Sequence, residues 1–226
     1  MIEDVVDNYI KLVAEVKSLA SSCGRDSREI KIIAVSKKHQ WEEVRGAYEV
    51  GCRDFGENRV QEAEGKRVQA PTDVDWHLIG TVQRNKVRKI LHHYHLIHSV
   101  DSIELADKIS TCSVEEGLIT PILLQVNTSG ELTKHGLTAS EWYAHFNHVT
   151  ALPGIDVQGF MTMAPMSDEE GVIRACFRSL RMFKDRWNER LGIEKSNHLS
   201  MGMSHDYRIA IEEGATLLRI GTLLFG

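Results

Sequence analysis

The chain has 226 residues, 42% of them hydrophobic and 26% charged, with a formal net charge of −5. That length holds one large α/β domain or two small ones, and the composition is ordinary for a soluble globular protein. With that charge and no dominant lysine or arginine block there is no reason to expect nucleic acid as a partner, no apolar run reaches membrane-spanning length, and Met1-Ile2-Glu3-Asp4 is acidic, unlike a signal peptide.

The first predicted element is an amphipathic helix over about 2–20, with apolar positions at Ile2, Val5, Val6, Ile10, Val13 and Val16. A buried strand over 31–35 follows and ends at Ser36-Lys37. An apolar strand that delivers one amine to a barrel mouth suits a Schiff-base lysine, because an apolar wall disfavours the ammonium and frees a nucleophilic lone pair. A lysine that merely meets solvent at a strand end is the plainer alternative. Further strands are predicted over 53–55, 76–79, 95–98, 122–126, 156–160, 198–200 and 217–220. Helical, charge-faced segments lie between them over 41–50, 58–68, 102–116, 140–151, 168–190 and 204–214. Such alternation predicts parallel strands covered by helices, and eight strands at this length favour a closed single-domain (β/α)8 TIM barrel over an open doubly wound sheet. Only six residues follow Ile220, too few for a helix after the eighth strand, so the leading helix is expected to fill that place.

In such barrels the chemistry sits at the C-terminal strand ends. The turns there carry Lys37, then Gly56-Glu57-Asn58-Arg59, Gly80-Thr81, Met161-Thr162, Ser200-Met201-Gly202-Met203-Ser204 and Gly221-Thr222. Small and hydroxyl residues after strands seven and eight suit a phosphate cradle, with Ser204 also placed to cap a helix beginning near His205. Glycines that merely serve tight turns are the alternative for either loop alone. Together with Lys37 the two loops favour a phosphorylated carbonyl compound.

Four separated cysteines (Cys23, Cys52, Cys112, Cys176) form no Cys-x-x-Cys pair, which suits free thiols in a reducing, cytoplasmic setting. The histidines at 92, 93, 95 and 98 lack an acidic or thiol partner at a recognisable spacing, so no metal site is expected. His77 is expected inside the barrel as a hydrogen-bonded core residue. Trp142, Phe177, Met182, Phe183 and Trp187 fall at helical spacings and are expected to pack helix against barrel.

These residues carry a resemblance. Ala34-Val35-Ser36-Lys37, Phe55 through Glu62 (FGENRVQE), Ile79-Gly80 with Gln83-Arg84-Asn85-Lys86, and Ser200 through Asp206 (SMGMSHD) resemble the pyridoxal-phosphate homeostasis protein family. So do Asn127 through Glu131 with Lys134 and Gly136, Gly159 through Pro165 (GFMTMAP), and Arg219-Ile220-Gly221-Thr222 with Phe225-Gly226. The motifs run in order along nearly the whole chain.

The resemblance implies one barrel domain over residues 1–226, of the alanine-racemase N-terminal type, binding pyridoxal 5′-phosphate (PLP). It implies an aldimine on Lys37, phosphate contacts from Ser200, Ser204, Gly221 and Thr222, Arg219 facing the pyridine nitrogen, and Asn58 near the ring. Lys38, on an extended segment, is expected to point away from Lys37. Arg219 in place of a carboxylate disfavours a protonated ring nitrogen and so weakens carbanion stabilisation. Thr81-Val82 stands where the family usually has His-Leu, and Lys38 where it often has threonine.

The implied function is a monomeric carrier and buffer of PLP in vitamin B6 homeostasis, without dedicated turnover, in transient contact with PLP-dependent apo-enzymes. The competing reading is an amino-acid racemase of fold type III. It needs a second base, and the five tyrosines (Tyr9, Tyr48, Tyr94, Tyr143, Tyr207) fall mostly on predicted helices. A PLP-free Schiff-base aldolase on a phosphosugar would use the same lysine and cradle.

Overall fold

Eight parallel strands close on themselves in chain order: β1 (Lys31–Val35), β2 (Asp54–Glu57), β3 (Asp75–Leu78), β4 (Leu96–Val100), β5 (Thr120–Gln125), β6 (Ile155–Met161), β7 (His198–Ser200) and β8 (Leu217–Ile220). The structure is a computed structural model and describes residues 2–131, 135–192 and 195–226. Closure is the β1–β8 pairing, in register from Lys31 opposite Leu217 to Ala34 opposite Ile220. The strands read as nearly continuous apolar runs because both their faces are covered, as in any parallel barrel.

Around them lie α1 (Ile2–Ser22), α2 (Trp41–Glu49), α3 (Val60–Gln69), α4 (Val87–Ile90), α5 (Ile103–Glu115), α6 (Ala139–Ala144), α7 (Phe146–Thr150), α8 (Glu170–Leu191), α9 (Tyr207–Glu212) and α10 (Thr222–Phe225). Local chemistry sets several ends. Thr138 and Glu141 form a reciprocal capping box that starts α6. Gly192 ends α8 in the left-handed conformation, at φ 72°. Trp142, Phe177, Phe183 and Trp187 are buried between helices and barrel, whereas Met182 is exposed.

The main apolar core lies between the barrel and the helices. A second, smaller cluster of Ile33, Leu96, Leu123, Met161 and Leu217 comes from alternate strand positions that face the lumen. Lys31, Asp54, His77, His98, Ser200 and Arg219 bring polar groups into the same interior.

Four expectations need correcting. The residues after β8 do form a helical turn, α10, although it is too short to cover a strand. The segment over 140–151 breaks into α6 and α7 at His145. The helix expected over 204–214 shortens to α9, which Ser204 does not cap. A short helix, α4, lies between β3 and β4 where none was predicted. The leading helix α1 packs against α2, α9 and α10, and so occupies the gap left after β8.

Candidate functional site

The C-terminal strand ends open on one cavity of about 540 Å³. Lys37, Asn58, Ser204, Arg219, Gly221 and Thr222 all line it. Ser200 does not. Lys134 lies outside the described residues.

Lys37 stands two residues beyond the end of β1 in a tight turn closed by the His39 N–H donating to the Ser36 carbonyl at 3.2 Å. Its side chain is exposed, so the apolar enclosure expected from the sequence is not present. Lys38 is not on an extended segment: its φ is 69°, a left-handed conformation that costs about 1–2 kcal/mol for a residue with a Cβ. Both lysines line the cavity, which corrects the expectation that Lys38 turns away.

The turn is anchored from beneath. The Ser36 hydroxyl donates to Glu57 Oε1 at 2.5 Å, and the Lys66 ammonium donates to both Glu57 Oε1 and the Ser36 carbonyl, each at 2.5 Å. Glu57 is fully buried and Lys66 is 3% exposed. A buried ion pair therefore holds the backbone one residue before Lys37.

Asn58 follows that glutamate directly. A Cβ on Gly80 would sit 2.2 Å from the Asn58 carbonyl oxygen, so only glycine lets the loops after β2 and β3 approach this closely.

The loops after β7 and β8 are tied together. Ser204 Oγ accepts from the Leu223 N–H at 3.3 Å, which places it on the β8 loop instead of at the start of α9. Buried Asp206 accepts from the Met203 N–H at 2.6 Å and closes the β7 loop on itself. Gly202, at φ 93°, supplies a left-handed bend there.

Arg219 rises from β8 into the floor of the cavity. Its Nη1 donates to Ser200 Oγ at 2.6 Å and its Nη2 to the Thr162 carbonyl at 2.9 Å. Burial lowers its pKa to about 10, with the Asp206 carboxylate acting the other way. Ser200 is fully buried below it, with its hydroxyl engaged by Arg219 and by His98 Nδ1 at 2.8 Å. The Ser200 hydroxyl, expected to meet a phosphate, is thus taken up by Arg219 and His98, and the residue does not line the cavity.

His77 is 1% exposed and bonded at both ring nitrogens. The histidine run is split among separate partners, with His92 near Glu116, His93 on Arg67, His95 near Asp75 and His98 on Ser200.

Met161 and Met203, from turns expected at the strand ends, join Met163 and Met166 in a soft wall. His39 and His135, which the sequence did not single out, add imidazoles at the mouth beside His205. None of the five tyrosines lines the cavity. Nor does any aspartate or glutamate side chain among the described residues, although the chain as a whole carries a charge of −5. Lys37, Lys38 and Arg219 thus make the cavity cationic against the sign of the molecule, and hydroxyl groups and loop backbone face the amine. These donors fit an anion that also carries a group able to react with an amine.

Comparison with known proteins agrees with this chemistry. Residues 11–226 match the family model for the alanine racemase N-terminal domain. The chain is 38% identical to the pyridoxal phosphate homeostasis protein of Aquifex aeolicus, over 96% of this chain and 95% of that protein. It also resembles the solved structure of PipY from Synechococcus elongatus with PLP bound, at 37% identity and a TM-score of 0.83, covering 95% of this chain and 100% of that one. An alanine racemase from Clostridium difficile shares the fold at 18% identity and a TM-score of 0.77, with 56% of its length covered.

Proposed function

The chain belongs to the family of pyridoxal phosphate homeostasis proteins, and from that membership we propose that it binds pyridoxal 5′-phosphate and carries or buffers it without a dedicated reaction of its own. The observation that carries this reading is the cationic cavity itself, in which the Lys37 amine and the joined β7 and β8 loops open on one space with no carboxylate side chain among the described lining residues.

When bound, the cofactor supplies an aldehyde that takes up an amine and a ring that withdraws electrons. Lys37 offers the amine. Its turn is held by Lys66 and Glu57, so the amine is presented from a fixed backbone. Ser204, Gly221 and Thr222 are assigned to the phosphate. All three belong to the segments after β7 and β8 that the Leu223–Ser204 hydrogen bond links, and small residues admit the close approach of backbone N–H groups. Asn58 is assigned to the ring edge.

Arg219 is assigned to the ring nitrogen. A guanidinium with a pKa of about 10 stays charged at neutral pH and only donates hydrogen bonds. It opposes a proton on the ring nitrogen, which limits electron withdrawal and favours holding over turnover. Racemisation would need an acid–base group on each side of a substrate carbon, and no tyrosine reaches the cavity to provide the second.

Among the described residues no helix is long and apolar enough to cross a membrane. None of the four cysteines is in a disulfide and three are buried, which supports a reducing, cytoplasmic location. We further read the barrel as one functional domain acting as a monomer in transient contact with apo-enzymes.

Protein loaded with PLP and freed of excess cofactor tests the proposal when mixed with a PLP-dependent apo-enzyme. Recovery of that enzyme's activity, with no exchange of amino-acid Cα hydrogen into deuterated water by the loaded protein alone, is the expected result. Rapid Cα exchange would contradict it.

A further inference from the structure

Six polar residues of the barrel strands form one continuous chain of hydrogen bonds. Starting near the N-terminal strand ends, Lys31 Nζ donates to Asp54 Oδ1 at 3.1 Å. Asp54 Oδ1 lies 3.0 Å from His77 Nε2, His77 Nδ1 lies 2.9 Å from His98 Nε2, and His98 Nδ1 lies 2.8 Å from Ser200 Oγ. Ser200 Oγ accepts from Arg219 at 2.6 Å. The chain crosses β1, β2, β3, β4, β7 and β8 and ends on the guanidinium in the cavity floor.

With neutral imidazoles, the carboxylate end fixes the direction of every bond in the chain. A guanidinium only donates and an ionised carboxylate only accepts. Asp54 accepts, so His77 carries its proton on Nε2 and, as a neutral ring, accepts at Nδ1 from His98 Nε2–H. A neutral His98 in turn accepts at Nδ1 from the Ser200 hydroxyl, whose oxygen keeps its lone pairs for Arg219. With both rings neutral, both are therefore Nε2–H tautomers. Protonating His77 would set two N–H groups against each other across 2.9 Å.

We propose that Asp54, His77, His98 and Ser200 are positioning residues, a polarised chain that holds Arg219 in one orientation and so sets the electronic state of the group bound above it. The last clause rests on the PLP reading; the tautomers do not.

Proton transport is not the role. Asp54, held down by His77 and Lys31 against its burial, has a carboxyl below the ordinary aspartate range, while Arg219 lies at about 10. The proton therefore stays on the guanidinium. Burial pushes both His77 and His98 below the ordinary histidine value, which favours the neutral rings. The charged and titratable groups facing the two rings are Lys31 from β1, Asp54 from β2, His95 just before β4, His198 from β7 and Arg219 from β8, and all but Asp54 oppose protonation.

The test has two independent arms. In ¹⁵N-labelled protein without cofactor, imidazole nitrogen shifts are followed from pH 5.5 to 8.5 in wild type and in His77→Gln and His98→Gln, which assign the signals. Two neutral Nε2–H rings throughout are expected. An Nδ1–H tautomer, or protonation of either ring within that range, overturns the chain. In the second arm, Ser200→Ala is loaded with PLP, and the pH midpoint of its visible band is compared with wild type, alongside its affinity for inorganic phosphate. A midpoint displaced by about one pH unit with unchanged phosphate affinity supports the positioning role. An unmoved midpoint overturns it. A wild type with no visible band sinks the PLP reading, and the nitrogen shifts then decide the chain alone.

Discussion

The buried ammonium of Lys66, on α3, lies 2.5 Å from the carbonyl oxygen of Ser36, the residue immediately before Lys37. The same ammonium neutralises Glu57, which has no other cationic partner among the described ion pairs. Removing one member of such a pair leaves the other charge buried and uncompensated.

Lys66→Met should therefore destabilise the fold by about 3–5 kcal/mol, measured by urea unfolding. The double variant Lys66→Met with Glu57→Leu should recover much of that loss, because the uncompensated carboxylate is gone. Its Lys37 turn should still be looser, read as faster amide exchange at Lys37 and Lys38. Recovery of stability without faster exchange would show that Lys66 serves the core alone.

Stability should fall as pH drops below about 6.5. His77 and His98 have folded pKa values depressed below the ordinary histidine value, so between those values and 6.5 the unfolded chain binds protons that the folded chain does not. Their contribution is complete above the unfolded pKa and is lost as pH falls toward the folded values. Two fully depressed histidines give a slope of at most about 2.7 kcal/mol per pH unit there. Unfolding free energies at pH 7.5 and 5.5 check the sign, and His98→Gln should reduce the slope by up to half.

Two glycines should respond in opposite directions to alanine. Gly80→Ala drives a Cβ into the Asn58 backbone and should cost about 1–3 kcal/mol or more, while displacing a cavity residue. Gly65→Ala, inside α3 with nothing within 4 Å of its Cβ, should stabilise by about 0.5–1 kcal/mol. Thermal melts of the two variants beside wild type read both outcomes.

The strands were legible because burial on both faces leaves short apolar runs between charged helical stretches, and the bounds of β1, β7 and β8 follow from that pattern alone. The short α4 was not, since four residues carry too little periodicity to stand out. Lys37, Asn58, Ser204, Gly221 and Thr222 could be gathered because each sits at a strand end. The surroundings of Ser200 were not legible for a physical reason: the last residue of a strand alternates between lumen and loop, and its hydroxyl meets His98, 102 positions away. Lys38 misled because a turn whose third residue is left-handed looks extended when no glycine marks it. Lys66 and Glu57 gave no signal, as a lysine and a glutamate nine residues apart look like solvated charges until the fold buries both.

The attachment of PLP to Lys37 is the claim on which the rest turns. The direct measurement is a visible absorption titration of the purified protein with PLP, wild type beside Lys37→Ala and Lys38→Ala, followed by borohydride reduction and peptide mapping. A band present in wild type and Lys38→Ala, lost in Lys37→Ala, with the reduced adduct on Lys37, is the predicted result. An adduct on Lys38 or scattered over surface lysines, or no band at all, would contradict it.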